Sequence, residues 1–244
     1  MKISEKINLD YEGLKKYGPV NIVALGDSVT HGSFGPQEID YEYAYWNQLK
    51  KKINEKRNYV PINVINAGIG GTTAKESVER MESQVLCHNP DLIIICFGLN
   101  DVNGSLEDYL NPLEIIFEKS LKSGAEVIFL TPNMLNTYLA EDTEEIYKEY
   151  AVITAEMQNS GKMDLYINSA VELAKKMNVT VCDCYKEWKK LSETTDTTML
   201  LANRINHPTR EMHGLFADRL YNEIFKEDIE VETLETISTM YESI

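Results

Sequence analysis

Among the residues that could do chemistry in this 244-residue sequence, the first is Ser28, in Asn21-Ile-Val-Ala-Leu-Gly-Asp-Ser-Val-Thr-His-Gly32. The apolar run Ile22 to Leu25 reads as a strand covered on both faces. Gly26 and Gly32 permit a tight bend and a close backbone approach to a ligand. On its own this is an ordinary turn in which Ser28 caps the next helix. Two further apolar runs end in Asn66-Ala-Gly-Ile-Gly-Gly-Thr72 and Gly98-Leu-Asn-Asp101. A hydroxyl nucleophile needs a base for its proton and N–H donors aimed at the oxyanion of a tetrahedral intermediate. The backbone N–H groups of Ser28 and Gly71 and the side-chain amide of Asn100 are candidate donors. Glycine suits position 71 because an amide aimed at a substrate oxygen needs a backbone unobstructed by Cβ. Gly70-Gly71 as a flexible turn and Asn100 as a loop cap are plainer readings. Their coincidence at three strand ends argues for a site.

The base must come from a distance, and there are four histidines. His31 lies too close to Ser28 along the same turn, although it can line a pocket. His88 precedes Asn89 and Pro90 at the start of a strand, which is the wrong rim. His213 lies inside the last helix, which suits a packed or surface role. His207 stands in Asn203-Arg-Ile-Asn-His-Pro-Thr-Arg210, immediately before that helix. A loop there can swing an imidazole over the first strand.

The elements that must position these residues follow from patterning. Strands are predicted at 20–26, 62–66, 92–97, 125–130 and 179–183, with a short helix over 5–17. Tyr41, Tyr45, Leu49 and Ile53 fall at helical spacing and define a first crossover helix. Further helices are predicted at 73–86, 111–123, 162–177 and 211–225. Apolar strands alternating with amphipathic helices imply a parallel sheet covered on both faces, a three-layer α/β/α sandwich. In such a sheet ligands bind beyond the carboxyl ends of the strands, where strand order reverses. Residues 133–160 exceed an ordinary connection and read as an insertion, a lid or an interface, with a helix over 142–158. The acidic tail, 227–244, carries Ile229, Val231, Leu234, Ile237 and Met240, which could pack on the body or form a homo-oligomer contact.

Composition bounds the rest. Hydrophobic content of 43% and charged content of 26%, with no repeat, fit one globular domain over 1–244. The net charge of -15 excludes nucleic acid and anionic membrane as partners and favours a small neutral substrate. No run approaches the ~20 apolar residues of a membrane span. The first ten residues alternate charged and apolar types, unlike a signal peptide, so a cytoplasmic location is expected. Cys87, Cys96, Cys182 and Cys184 match no zinc spacing; Cys182 and Cys184 are expected on one face of a strand as free thiols.

Gly26-Asp-Ser28, Asn66 to Thr72, Gly98 to Asp101 and the late His207-Pro208 resemble, in order, the four blocks of the SGNH hydrolases, also called GDSL esterases and lipases. The resemblance spans residues 20–225. It implies a flavodoxin-like five-stranded parallel sheet, no metal or other cofactor, and hydrolysis of esters or thioesters. By motif, Ser28 is the nucleophile, Gly71 and Asn100 belong to the oxyanion hole, and His207 is the base. The family usually has aspartate three residues before the histidine; here that residue is Arg204, which cannot accept the imidazole N–H. A backbone carbonyl of the 203–206 loop is the preferred replacement. The Asn203 side chain, or Asp183 or Asp196 from elsewhere, are the others. The expected activity is serine esterase action on short-chain acyl esters or O-acetylated carbohydrates. A thioesterase, a lysophospholipase and a catalytically silent binding protein are the alternatives. Tyr41, Tyr43 and Trp46 either border the substrate site or belong to the core.

Overall fold

Three neighbouring strands of one sheet, an edge strand and the two beside it, end level at their carboxyl ends. In the computed structural model, which describes residues 1–35 and 37–226, the elements run as follows. Helices α1 (Ile3–Ile7) and α2 (Tyr11–Tyr17) precede β1 (Val20–Gly26) and α3 (Ser28–His31). A hairpin, β2 (Ser33–Gly35) and β3 (Glu38–Ile39), leads to α4 (Tyr45–Lys56), β4 (Ile62–Gly68), α5 (Ala74–Ser77), α6 (Met81–Gln84) and β5 (Leu92–Cys96). Then come α7 (Leu106–Lys122), β6 (Glu126–Leu130), α8 (Lys148–Asn159), α9 (Lys162–Lys176), β7 (Thr180–Cys182), α10 (Cys184–Leu191) and α11 (Arg210–Ile224).

The sheet order is β4-β1-β5-β6-β7, every pair parallel, which is the flavodoxin-like arrangement. Helix α11 packs on α4, while α7 packs on α5 and α9, so the sheet lies between two helical layers. β5 is buried throughout and β1 nearly so, which is why both read as unbroken apolar runs. The chain leaves β1 toward β4 and returns on the other side to β5, so the switch point lies beside β1. Gly26 pairs with Gly68 on one side and Cys96 on the other. The residues just after all three strands therefore share one rim.

Several boundaries differ from the periodicity, each for a local reason. The single helix expected over 5–17 is broken by Asp10, whose carboxylate accepts the Gly13 N–H at 2.9 Å and starts α2. The helix expected over 73–86 divides at Arg80. That guanidinium donates to the carbonyls of Ala67 and Gly26, the latter at 3.2 Å, and so ties the ends of β4 and β1 together. Helix α7 begins at Leu106 rather than 111, because Ser105 caps it by accepting the Asp108 N–H at 3.1 Å. The predicted helix over 142–158 is α8, starting later, at Lys148. The chain before it is held extended by the Asn136 N–H to Ile205 O (2.9 Å) and the Thr137 N–H to Thr198 Oγ1 (3.0 Å).

Cys182 and Cys184 do not share a strand face: Cys182 ends β7 and Cys184 begins α10. All four cysteines are free thiols. The tail to which packing or self-association was assigned lies outside the described residues. No helix among the described residues is long and apolar enough to cross a membrane.

Candidate active site

Ser28 opens α3, a single turn whose first residues are fixed by Asp27. One Asp27 carboxylate oxygen accepts the Val29 N–H at 3.0 Å, and its backbone carbonyl accepts the His31 N–H at 2.8 Å. This turn lies hard against the end of β4. A Cβ on Gly68 would stand 2.3 Å from His31 N and 2.6 Å from the Thr30 carbonyl carbon, so only glycine lets the Ser28 turn settle there. At Gly71 the requirement is different from the one expected. A Cβ there would meet nothing within 4 Å; glycine is needed because φ is +80°.

Ser28 Oγ and His207 Nε2 are 2.9 Å apart across 179 residues of sequence. With the hydroxyl donating, Nε2 accepts and Nδ1 carries the ring proton. Asn100 Nδ2 donates to Thr72 O at 3.0 Å, which fixes the amide and leaves its second hydrogen as a donor. Asp101 holds the loop in place through two backbone N–H groups, Ala74 to Oδ1 (2.8 Å) and Gly98 to Oδ2 (2.9 Å). Ser28, Gly71, Asn100 and His207 thus line one cavity of about 440 Å³.

The second imidazole nitrogen is where the expectations fail. Nδ1 is buried and has no hydrogen-bond partner among the described residues. No carbonyl of the 203–206 loop bonds Nδ1: Ile205 O accepts from the Asn136 N–H, and Asn206 O accepts Asn133 Nδ2 at 2.9 Å. Nor does the Asn203 side chain reach the ring. Its Oδ1 accepts the backbone N–H groups of Ile205, Asn206 and His207. Asp183 caps α10 through the Lys186 N–H, and Asp196 accepts from Thr198 N and Tyr138 OH. Arg204 turns outward onto Asp142. The backbone carbonyl of Phe34, on β2, is the group that favours a charged ring, and it does so from outside hydrogen-bonding geometry.

Burial consequently governs the ionisation of the site. It lowers His207 from 6.5 to about 4, with the Phe34 carbonyl opposing. His213 is lowered to about 3 by burial and then by the positive charges of His207 and Arg210. It is packed in the core, accepting the Tyr45 N–H on Nδ1 at 3.1 Å. Burial raises Asp27 to about 7, partly countered by the Val29 N–H and assisted by Asp101. Asp101 is raised to about 6 by burial, countered by the N–H groups of Ala74 and Gly98.

Other walls of the cavity come from residues that sequence reasoning passed over. Ser33, Gly35, Gln37 and Ile39 of the β2–β3 hairpin form one side, and Tyr147 and Tyr150 from the insertion form another. The hairpin was signalled by the Gly35-Pro36 turn pair, and the tyrosines only by the length of the insertion. Tyr41, Tyr43 and Trp46 do not line the cavity. Tyr41 and Tyr43 are exposed, while Trp46 Nε1 donates to Thr30 O at 2.8 Å and braces the turn that carries Ser28. His88 lies at the opposite end of the sheet, where its carbonyl accepts Asn21 Nδ2.

Known proteins resemble this arrangement. The chain is 25% identical over 226 residues to an acetylxylan esterase of Geobacillus stearothermophilus, covering 83% of this chain and 93% of that protein. It is 24% identical over 218 residues to the uncharacterised lipoprotein YqeF of Bacillus subtilis strain 168, covering 81% and 86%. The crystal structure of Axe2, an acetylxylan esterase from Geobacillus stearothermophilus, superposes with a TM-score of 0.66 at 20% identity over 84% of this chain and 94% of that one. Residues 24–215, which hold all four motif blocks, match the GDSL-like lipase/acylhydrolase family. The chain is a carboxylic ester hydrolase and belongs to the GDSL-like lipase/acylhydrolase family.

Proposed function

We propose that this chain removes short acyl groups from small neutral alcohols, O-acetylated carbohydrates above all, through an acyl-enzyme on Ser28. The observation that carries the reading is the 2.9 Å contact between Ser28 Oγ and His207 Nε2 on the rim that also presents Gly71 and Asn100. Ser28 Oγ attacks the ester carbonyl carbon as His207 Nε2 takes its proton. The carbonyl oxygen becomes an oxyanion received by the N–H groups of Ser28, Gly71 and Asn100. Collapse breaks the bond to the alcohol oxygen, which takes the proton from Nε2. Water, deprotonated by the same nitrogen, then cleaves the acyl-Ser28 ester and returns the proton to Oγ.

The substrate class rests on the cleft and on the relatives together. A cavity of about 440 Å³ suits an acetyl group and a sugar ring. Tyr147 and Tyr150 offer apolar ring faces with polar tips, which suits a sugar's alternating C–H and O–H surface. The similarity to an acetylxylan esterase points the same way. A chain of net charge -15 disfavours anionic alcohols.

The test compares wild type, Ser28→Ala and His207→Ala on p-nitrophenyl acetate and on acetylated xylo-oligosaccharides. Each substitution is expected to lower kcat by three orders of magnitude or more, consistent with loss of a nucleophile or its base. A fluorophosphonate should label Ser28 in wild type. Turnover equal to that of Ser28→Ala, with no labelling, rejects the mechanism. Turnover of the aryl acetate without the sugars rejects the substrate class alone.

A further inference from the structure

Among the described residues His207 Nδ1 has no hydrogen-bond partner, and only the Phe34 carbonyl favours its charged form, so the position of the imidazole rests on more than a ring-bound acceptor. The backbone around it supplies the hold. The His207 N–H donates to Asn203 Oδ1 at 2.9 Å, and the His207 carbonyl accepts the Ala202 N–H at 2.7 Å. The same Asn203 oxygen accepts the N–H groups of Ile205 and Asn206, each at 3.0 Å. Asn203 Nδ2 closes the knot by donating to Asn206 Oδ1 at 2.9 Å. One side-chain carbonyl thus gathers three consecutive backbone donors, the last of them belonging to the histidine itself. The loop enters this knot through Arg204 at φ 60°, a left-handed residue whose guanidinium is anchored on Asp142 and on the Leu201 carbonyl.

We infer that Asn203 is the positioning residue of the Ser28–His207 pair, holding the imidazole through the main chain. In a triad the third member grips the ring and also stabilises its positive charge. Asn203 does only the first of these. Once the Cα and Cβ of His207 are fixed from both sides, two side-chain torsions remain, and packing together with Ser28 Oγ settles them. The inference rests on the esterase reading for its kinetic consequence, though not for its structural one. A misplacement of the base by about 1 Å costs on the order of 10²-fold in rate.

The experiment therefore has a kinetic arm and a spectroscopic arm. With p-nitrophenyl acetate, Asn203→Ala is expected to lower kcat by about 10²-fold while KM stays within about threefold, because the base is displaced while the hairpin wall, Tyr147 and Tyr150, Gly71 and Asn100 are kept. Asn203→Asp keeps an acceptor for the three N–H groups, and the Asn206 amide can rotate to donate to its second oxygen. It should recover kcat to within about fivefold of wild type, a rescue that general loosening of the loop does not predict. In the second arm, the imidazole 15N shifts of His207 are compared in wild type, Ser28→Ala and Asn203→Ala. Loss of the Ser28 contact should make Asn203→Ala resemble Ser28→Ala at Nε2. Wild-type shifts in Asn203→Ala, or an Asn203→Asp enzyme no faster than Asn203→Ala, overturn the inference. A wild type without esterase turnover would refute the proposed function instead, and the 15N comparison would still decide the role of Asn203. Should Asn203→Ala fail to fold, the shifts and rate of Asn203→Asp decide alone: wild-type-like values support the role, and displaced ones overturn it.

Discussion

Acidification is the perturbation that most directly tests how His207 is housed. Burial lowers its pKa from 6.5 to about 4, and no carboxylate among the described residues bonds its Nδ1. At 1.36 kcal/mol per pH unit, charging this ring costs on the order of 3 kcal/mol more than charging a free imidazole. In the proposed mechanism His207 acts as a base only when neutral. At pH 5 an unperturbed imidazole of pKa 6.5 would be about 3% neutral, whereas one of pKa 4 is about 90% neutral, a difference of about 30-fold. The expected kcat/KM for p-nitrophenyl acetate is therefore nearly flat from pH 8 to pH 5, with half the activity lost near pH 4. Initial rates read at the isosbestic wavelength of the phenol, with circular dichroism to confirm folding at each pH, make the measurement. An acid limb at pH 6 to 7 in a folded enzyme refutes the assignment, because an acceptor must then be supporting the charged ring. The same low basicity weakens the proton transfer that starts the reaction. A wide acid range and a modest maximal rate should accompany one another.

Two other predictions concern the turn that carries Ser28. Asp27 is fully buried, with Oδ2 unpartnered among the described residues, and stays protonated up to about pH 7, against 3.8 for the unfolded chain. The folded state thus binds the extra proton between those values, so this group's stabilising contribution is complete below pH 3.8 and is lost as pH rises through 7. The loss is on the order of 4 kcal/mol. Asp27→Asn should accordingly gain several kcal/mol relative to wild type between pH 4 and pH 8 in urea unfolding, and an unchanged difference would contradict the buried ionisation. Gly68→Ala drives a methyl group to 2.3 Å from His31 N, whereas Gly71→Ala enters open space at φ +80°. Overpacking against backbone should cost about 1–3 kcal/mol or more and move Ser28 off His207. The second change should cost about 1–2 kcal/mol of backbone strain. Lower stability for Gly71→Ala than for Gly68→Ala would show that the close approach of β4 to α3 is not what glycine serves.

What sequence patterning reads well is whatever one element dictates by itself. The runs Ile22 to Leu25 and Leu92 to Cys96 are apolar because the central strands are covered on both faces, and their assignment survives unchanged. That Ser28, Gly71 and Asn100 meet follows from the same logic, since parallel strands paired Gly26 to Gly68 and Gly26 to Cys96 must end together. Even His207 was reachable by elimination, because only one histidine lies in a loop above that rim. Patterning misled where tertiary contacts outweigh periodicity. Arg80 breaks a helix to reach the carbonyls of two strand ends, and Asn136 keeps the chain before α8 extended by donating to Ile205 O. The Tyr147 and Tyr150 wall belongs to the same class, being placed by an insertion whose path no local signal sets.

The missing aspartate shows why the remainder could not be read from motif spacing. Arg204 occupies the expected position, and the substitutes sought for it were all acceptors for the imidazole N–H. Each of those would hold the histidine by its ring. On the inference drawn above, two tasks that a single carboxylate usually combines are separated. Placement passes to Asn203, Asn133 and Asn136, which grip the loop's backbone groups and are scattered over 70 residues of sequence. Among the described residues, the group that favours the charged ring is the Phe34 carbonyl, on a hairpin that patterning did not find. Dividing the tasks has a chemical consequence. A backbone knot can reproduce the geometry of a triad, but it contributes no negative charge, so the cost of forming the imidazolium must be met by the oxyanion side of the site. Removing the Asn100 amide should therefore be more damaging here than in a site whose histidine keeps its acid, because less of the transition state is stabilised anywhere else.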